Sequence, residues 1–124
     1  MKRVTGIGGI FFKADNPETL YAWYEKHLGL KRGIPEAVIF PDKTVWAIFP
    51  KDTNYFSPSR SSFMIDYRVE DLDAVLEGLR VEGVEIAGPE DSSEGRFAWI
   101  TDPEGNCIEL WQSPPSLNND SIAK

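Results

Sequence analysis

The sequence predicts an α+β fold in which paired βαβββ modules form a curved mixed sheet cup with helices on the outside. Three observations predict it. A β-rich run followed by a capped amphipathic helix occurs twice along the chain. Short β-rich runs follow each helix. A single such module would leave one face of its sheet bare, so two modules must pair and share their uncovered faces.

The first strand lies in Ile7 to Ala14 (IGGIFFKA). Asn16 caps the helix that follows, with Pro17 at its first position and Glu18 in its first turn. Leu20, Trp23, Tyr24, His27 and Leu28 recur at helical spacing, and Gly29 supplies a C-terminal stop. Glu36 to Pro41 and Thr44 to Phe49 are two β-rich runs joined by a tight polar turn. Pro50 to Ser62 is Ser- and Pro-rich and reads as the connection between modules. The plan then repeats. FMIDYRV from Phe63 is a strand, Asp71 caps a helix with an apolar stripe of Leu72, Val75, Leu76 and Leu79, and Gly83 ends it. Val84 to Ala87 and a final hairpin complete the second module. The domain is expected over residues 1–113, with modules about 5–50 and 62–113 and a polar tail over 114–124.

The hairpin is the most informative stretch. Asp-Pro-Glu-Gly-Asn places Pro103 and Gly105 as a three-residue loop requires, so Trp99 falls opposite Glu109 and Phe97 opposite Trp111. Phe97, Trp99, Cys107, Glu109 and Trp111 then share one face, and Ala98, Ile100, Ile108 and Leu110 the other. A carboxylate among three large rings has to be paired, metal-bound or kept for chemistry. The strand from Phe63 divides equally sharply. Phe63, Ile65, Tyr67 and Val69 suit the helix side, and Met64, Asp66 and Arg68 the cup. In the first strand Gly9, Phe11 and Lys13 fall on the cup side.

Composition narrows the functions. The chain has 124 residues, one cysteine and a net charge of −7. That suits one domain without an internal disulfide and offers no basic face for nucleic acid or an anionic membrane. No window approaches a membrane span and the N-terminus lacks a signal-peptide core, so a cytoplasmic location is expected. His27 is the single histidine and sits on the helix face away from the cup, where a structural or solvent-facing role is the default. Cys107 has no evident partnering base and reads as a small core thiol.

The module order, together with GIGGIFFKADNPETLYAWYEKHLGL, FMIDYRVEDLDAVLEGLRVEGVEI and GRFAWITDPEGNCIELWQ, resembles the vicinal oxygen chelate superfamily. That superfamily includes glyoxalase I, bleomycin-resistance proteins, extradiol dioxygenases, methylmalonyl-CoA epimerases and fosfomycin-resistance transferases. The resemblance implies a divalent ion held in the cup by His or Gln from the first strand of each module and Glu from the last strands. Carried onto this chain, the last-strand glutamate matches Glu109, while Gly9 and Met64 occupy the histidine positions, and Thr44 to Phe49 contains neither carboxylate nor imidazole. The metal site therefore reads as degenerate, and no cofactor is expected. Lys13 and Arg68 are candidates to neutralise Glu109. The first reading is a small-molecule-binding cup formed by Phe11, Lys13, Met64, Asp66, Arg68, Phe97, Trp99 and Trp111. Its alternative is a lyase- or dioxygenase-like enzyme, possible without metal if Glu109 or Asp66 is a general base. A metal enzyme and a ligand-free assembly module rank below these. Curved sheets with exposed edges also lead to the expectation of a homodimer.

Overall fold

The computed structural model describes residues 3–33 and 37–115. The elements are β1 (Val4–Ala14), α1 (Pro17–Leu28), β2 (Val38–Ile39), β3 (Val45–Pro50), β4 (Phe63–Val69), α2 (Leu72–Val81), β5 (Ala87–Ser92), β6 (Gly95–Thr101) and β7 (Cys107–Gln112). They form one seven-stranded sheet in the order β2-β3-β1-β4-β7-β6-β5. Within each half the first strand runs parallel to the last, β1 with β3 and β4 with β7. The halves join where β1 pairs antiparallel with β4. A single chain therefore lines both sides of the cup.

The local signals act as their chemistry requires. Asn16 and Asp71 accept hydrogen bonds from the backbone N–H of Thr19 and Ala74, and Gly29 closes α1 at φ 72°. Three apolar clusters divide the interior. Leu72, Val75 and Leu76 of α2 pack on Val69, Ala98 and Leu110. Tyr21 of α1 packs on Val38, Trp46 and Ile48. On the opposite sheet face, Phe11, Phe56, Met64 and Cys107 form the floor of the cup. Trp46 and Ile48 thus point to the helix, and Val45, Ala47 and Phe49 pack with the cup floor.

Three details depart from the sequence reading. The core face of α1 is turned toward Tyr21, whose hydroxyl accepts from the Ile48 N–H at 2.8 Å, and Trp23, His27 and Leu28 are exposed. Helical spacing alone does not fix that rotation, because aromatic residues nearly surround this helix. Among the described residues only two strands lie between α1 and β4, β2 being two residues long. The expected strand at Val84 to Ala87 lies instead at Ala87–Ser92. Its Gly, Pro and acidic residues disfavour a strand by propensity, but as an edge strand it pairs only with β6 and tolerates a proline. No helix among the described residues is long and apolar enough to cross a membrane.

Candidate functional site

The hairpin register follows the loop chemistry: Trp99 pairs with Glu109 and Phe97 with Trp111. Asp102 fixes the loop by accepting from the N–H groups of Glu104 and Asn106. Phe97 and Trp111 stand parallel with centroids 5.9 Å apart, and Trp99 continues the row 6.4 Å from Phe97. Across the sheet, β4 brings Asp66 into register with Glu109, and β1 brings Gly9 into register with Asp66. The residue beside Glu109 is therefore Asp66, and Met64 lies one step along the strand, fully buried in the apolar floor.

A cleft of about 540 Å³ opens over these groups, with walls that include Phe11, Val45, Phe49, Phe97 and Trp111 and with Asp66 and Glu109 at its base. Both carboxyl groups are buried, at 1% and 2% exposure. Glu109 Oε2 accepts from the Trp99 Nε1–H at 3.0 Å and from the Tyr55 hydroxyl. Neither Asp66 oxygen has a partner among the described residues. Two unprotonated carboxylates cannot donate to each other, but a protonated Asp66 can donate to Glu109. Burial first, then the neighbouring Glu109, pushes the Asp66 pKa up to about 11, although the Arg68 guanidinium pulls it down. Asp66 is thus a neutral acid at ordinary pH. Burial and Glu109 likewise hold the Tyr55 hydroxyl well above the usual phenol range, so it remains a donor. The same two causes raise the Cys107 thiol, which is buried at the cup floor, and so disfavour its thiolate.

The basic partners expected for Glu109 are engaged elsewhere. Arg68 donates to the carbonyls of Asp42 and Lys43 and lies 5.4 Å from the centre of the Trp111 ring. Lys13 places its amine 5.1 Å from the Phe56 ring centre. Glu109 is satisfied by neutral donors instead. One of these, Tyr55, comes from the segment that reads in sequence only as a connection. Its ring stacks on Phe49 at 5.6 Å, while its neighbour Phe56 is fully buried in the cup floor. The signal was present in Tyr55-Phe56, two large rings inside an otherwise polar linker. Tyr55→Phe keeps the stack and removes the hydrogen bond. Urea unfolding should show a loss of about 1.5 kcal/mol, the low end for a bond to a charged group because Tyr55 is 40% exposed. Unchanged stability would mean that the hydroxyl is not holding Glu109.

β1 explains how Asp66 fits. The register with β4 slips at Gly8, so Ile7 faces Tyr67, Gly9 faces Asp66 and Gly8 is the extra residue of a bulge. A Cβ on Gly8 would stand 2.1 Å from Asp66 Oδ1 and 2.9 Å from Trp111 Cε3, and one on Gly9 would stand 2.7 Å from the Phe11 ring. The space a first-strand ligand would need is taken by the Asp66 carboxyl and the Phe11 ring.

No family model matches the sequence, and none of the curated proteins matches it either. Solved structures do. Methylmalonyl-CoA epimerase from Mycobacterium tuberculosis superposes with a TM-score of 0.70 at 22% identity, covering 96% of this chain and 95% of that one. The fold is that of the vicinal oxygen chelate superfamily. A variant of the Streptomyces coelicolor epimerase, in complex with 2-nitronate-propionyl-CoA, gives a TM-score of 0.66 at 17% identity and covers 89% of this chain and 98% of that one. An NAD-dependent benzaldehyde dehydrogenase from Legionella pneumophila is also similar, with a TM-score of 0.60 at 12% identity, covering 86% and 98% of the two chains. Likeness at these identities establishes the fold alone, because function resides in the site.

The site can then be tested against the divalent ion that this fold implies. Asp66 and Glu109 are hard oxygen donors, but no group of three or more His, Cys, Asp or Glu residues suited to a metal occurs among the described residues. β3 presents Val45, Ala47 and Phe49 to the cup floor, and Phe11 fills the room beside Gly9. The donor set does not fit such an ion.

Proposed function

We propose that the protein binds a small organic molecule in this cup without a metal ion, its polar end meeting Asp66 and Glu109 and its body lying against the aromatic wall. One observation carries the reading. Asp66 is a fully buried acid that has no partner among the described residues beyond the Glu109 carboxyl beside it, and it lines a cleft that is otherwise mostly apolar. Buried polar groups are normally satisfied, and an orphan at the base of an aromatic pocket is what a ligand would complete. The solved Streptomyces complex supports only the small-molecule part of this reading, since there a protein of the same fold holds an organic ligand, an acyl-CoA derivative.

A second reading has its own observation. An acid and a carboxylate stand side by side, and both donors on Glu109 fall on Oε2. Oε1 has no other donor among the described residues, and it would accept a proton from a carbon acid as Asp66 gives its own proton to the substrate. That arrangement would make the protein a metal-free acid–base enzyme.

Protein purified without chelator should carry no stoichiometric metal. Zinc, nickel or manganese should leave its thermal midpoint within about 1 °C, whereas a retained or added organic ligand should raise it by binding linkage. A saturable rise of several degrees with a metal alone would overturn the proposal. Incubation in deuterated water with an organic ligand that raises the midpoint separates the two readings. Deuterium uptake that Glu109→Gln abolishes would establish the enzyme, and binding without exchange the binding protein.

A further inference from the structure

We infer that the polar end of the ligand is a cationic amine, so that the cup takes an organic ammonium ion with an apolar or aromatic body and disfavours anionic acyl-CoA esters. The inference rests on the small-molecule reading and names the class of molecule.

Charge and ring placement carry it. Two carboxyl groups share the base of the cup, and Asp66, 1% exposed, has no partner among the described residues beyond the Glu109 carboxyl. The protein has supplied Glu109 with neutral donors, the Tyr55 hydroxyl and the Trp99 indole, and with no cation. Arg68, the nearest guanidinium, is committed to two backbone carbonyls and the Trp111 ring. A positive group on the ligand would meet the Glu109 carboxyl, which no cation among the described residues pairs with, and the acceptor oxygen of the neutral Asp66 acid beside it.

The mouth continues the same sign. Glu94 lines the cup and also a second cleft of about 570 Å³, which meets the first at Tyr55, Glu94 and Phe97. That second cleft adds Glu90 and Asp91. Arg96 pairs with Asp91, but no ion pair among the described residues uses Glu90 or Glu94. Among the described residues lining the cup Lys43 is the one basic one, with Arg68 over the Trp111 ring and Lys13 over the Phe56 ring at its edges. Between the acidic base and the acidic mouth stands Phe97, whose ring face attracts cations, beside Trp111, whose ring already carries the Arg68 guanidinium. An ester carrying several phosphates would meet like charge at both levels, and the field of an acidic cleft also concentrates cations before they bind. A bare metal ion lacks the third protein donor that it would need and gains nothing from the rings.

The test uses tryptamine, tryptophol, indole-3-acetate and acetyl-CoA, titrated into the intact protein while the Trp99 and Trp111 indole N–H resonances are followed by NMR. Tryptamine should bind at least ~10-fold more tightly than tryptophol, the neutral match in shape, with indole-3-acetate and acetyl-CoA weaker still. Glu109→Gln should collapse the amine-over-alcohol ratio toward 1, and Glu94→Gln should reduce it. Tryptophol binding as well as tryptamine would leave the cup reading standing and overturn the ammonium inference. Tightest binding by indole-3-acetate or acetyl-CoA would overturn it too. Silence of both resonances toward all four compounds would remove the cup reading and the inference together. A manganese titration that broadens the same resonances at micromolar concentration, and that tryptamine cannot displace, would assign the site to an inorganic cation and overturn the inference.

Discussion

Asp66→Asn should make the protein more stable at neutral pH, and its advantage over the wild type should grow as the pH rises. In the folded state Asp66 holds its proton up to about pH 11, whereas in the unfolded chain it releases it near the ordinary carboxyl value of 3.8. The folded state therefore binds more protons than the unfolded state between those limits. Wild-type stability from this group is fully present below the unfolded pKa and declines as pH rises toward the folded one. The slope is at most about 1.4 kcal/mol per pH unit, which amounts to about 4 kcal/mol by pH 7. Asparagine has the shape of the protonated acid, cannot ionise, and can donate an N–H where the acid donated its O–H. Urea unfolding of both proteins at pH 4, 5.5, 7 and 8.5 gives the check. The curves should converge near pH 4 and separate progressively above it. Parallel curves would mean that Asp66 is ionised in the folded protein, the Arg68 guanidinium outweighing burial and Glu109.

Whether the sequence reveals such a feature depends on how local its cause is. The register that sets Trp99 against Glu109 follows from five loop residues, Asp102 to Asn106, so alternation alone yields the aromatic face. The helix caps at Asn16 and Asp71 are equally local. The partner of Glu109 is different. Opposite charges on the cup faces of two strands make Lys13 and Arg68 reasonable counter-ions, yet Lys13 turns to the Phe56 ring of the linker and Arg68 away from Glu109 altogether. Arg68 reaches the carbonyls at the turn into β3, which no sequence distance anticipates. Tyr55 reaches Glu109 because the linker folds back over the sheet, held by Phe56 beneath it. That is a tertiary consequence of burying two rings, and no local propensity encodes it. The edge strand β5 was hidden for the opposite reason. Its residues are poor β-formers, and only its pairing with β6 holds it extended. The bulge at Gly8 had a visible trace in the pair Gly8-Gly9, but what the missing side chains make room for emerges only when β1 and β4 meet.

That room supports a second large expected effect. Gly8→Ala should cost about 3 kcal/mol, the upper end for forcing an atom into a filled interior. Gly8 lies in a strand without a positive φ, so an alanine backbone is allowed there and the cost is one of space. The added methyl would lie 2.1 Å from Asp66 Oδ1 and 2.9 Å from Trp111 Cε3. The Asp66 carboxyl is too short to swing clear without leaving Glu109. Gly9→Ala should cost less, because the atom it meets is the tip of the Phe11 ring, which can rotate away. Combining Gly8→Ala with Asp66→Ala isolates the contact. Once the carboxyl is gone, the methyl meets only the Trp111 edge and the Arg68 stem, so the double mutant should be more stable than the sum of the single losses by about 1–2 kcal/mol, as for directly touching residues. If the losses add to within about 0.5 kcal/mol, Asp66 does not occupy the space over Gly8. The glycine would then not be what allows an acid to stand beside Glu109 at the base of the cup.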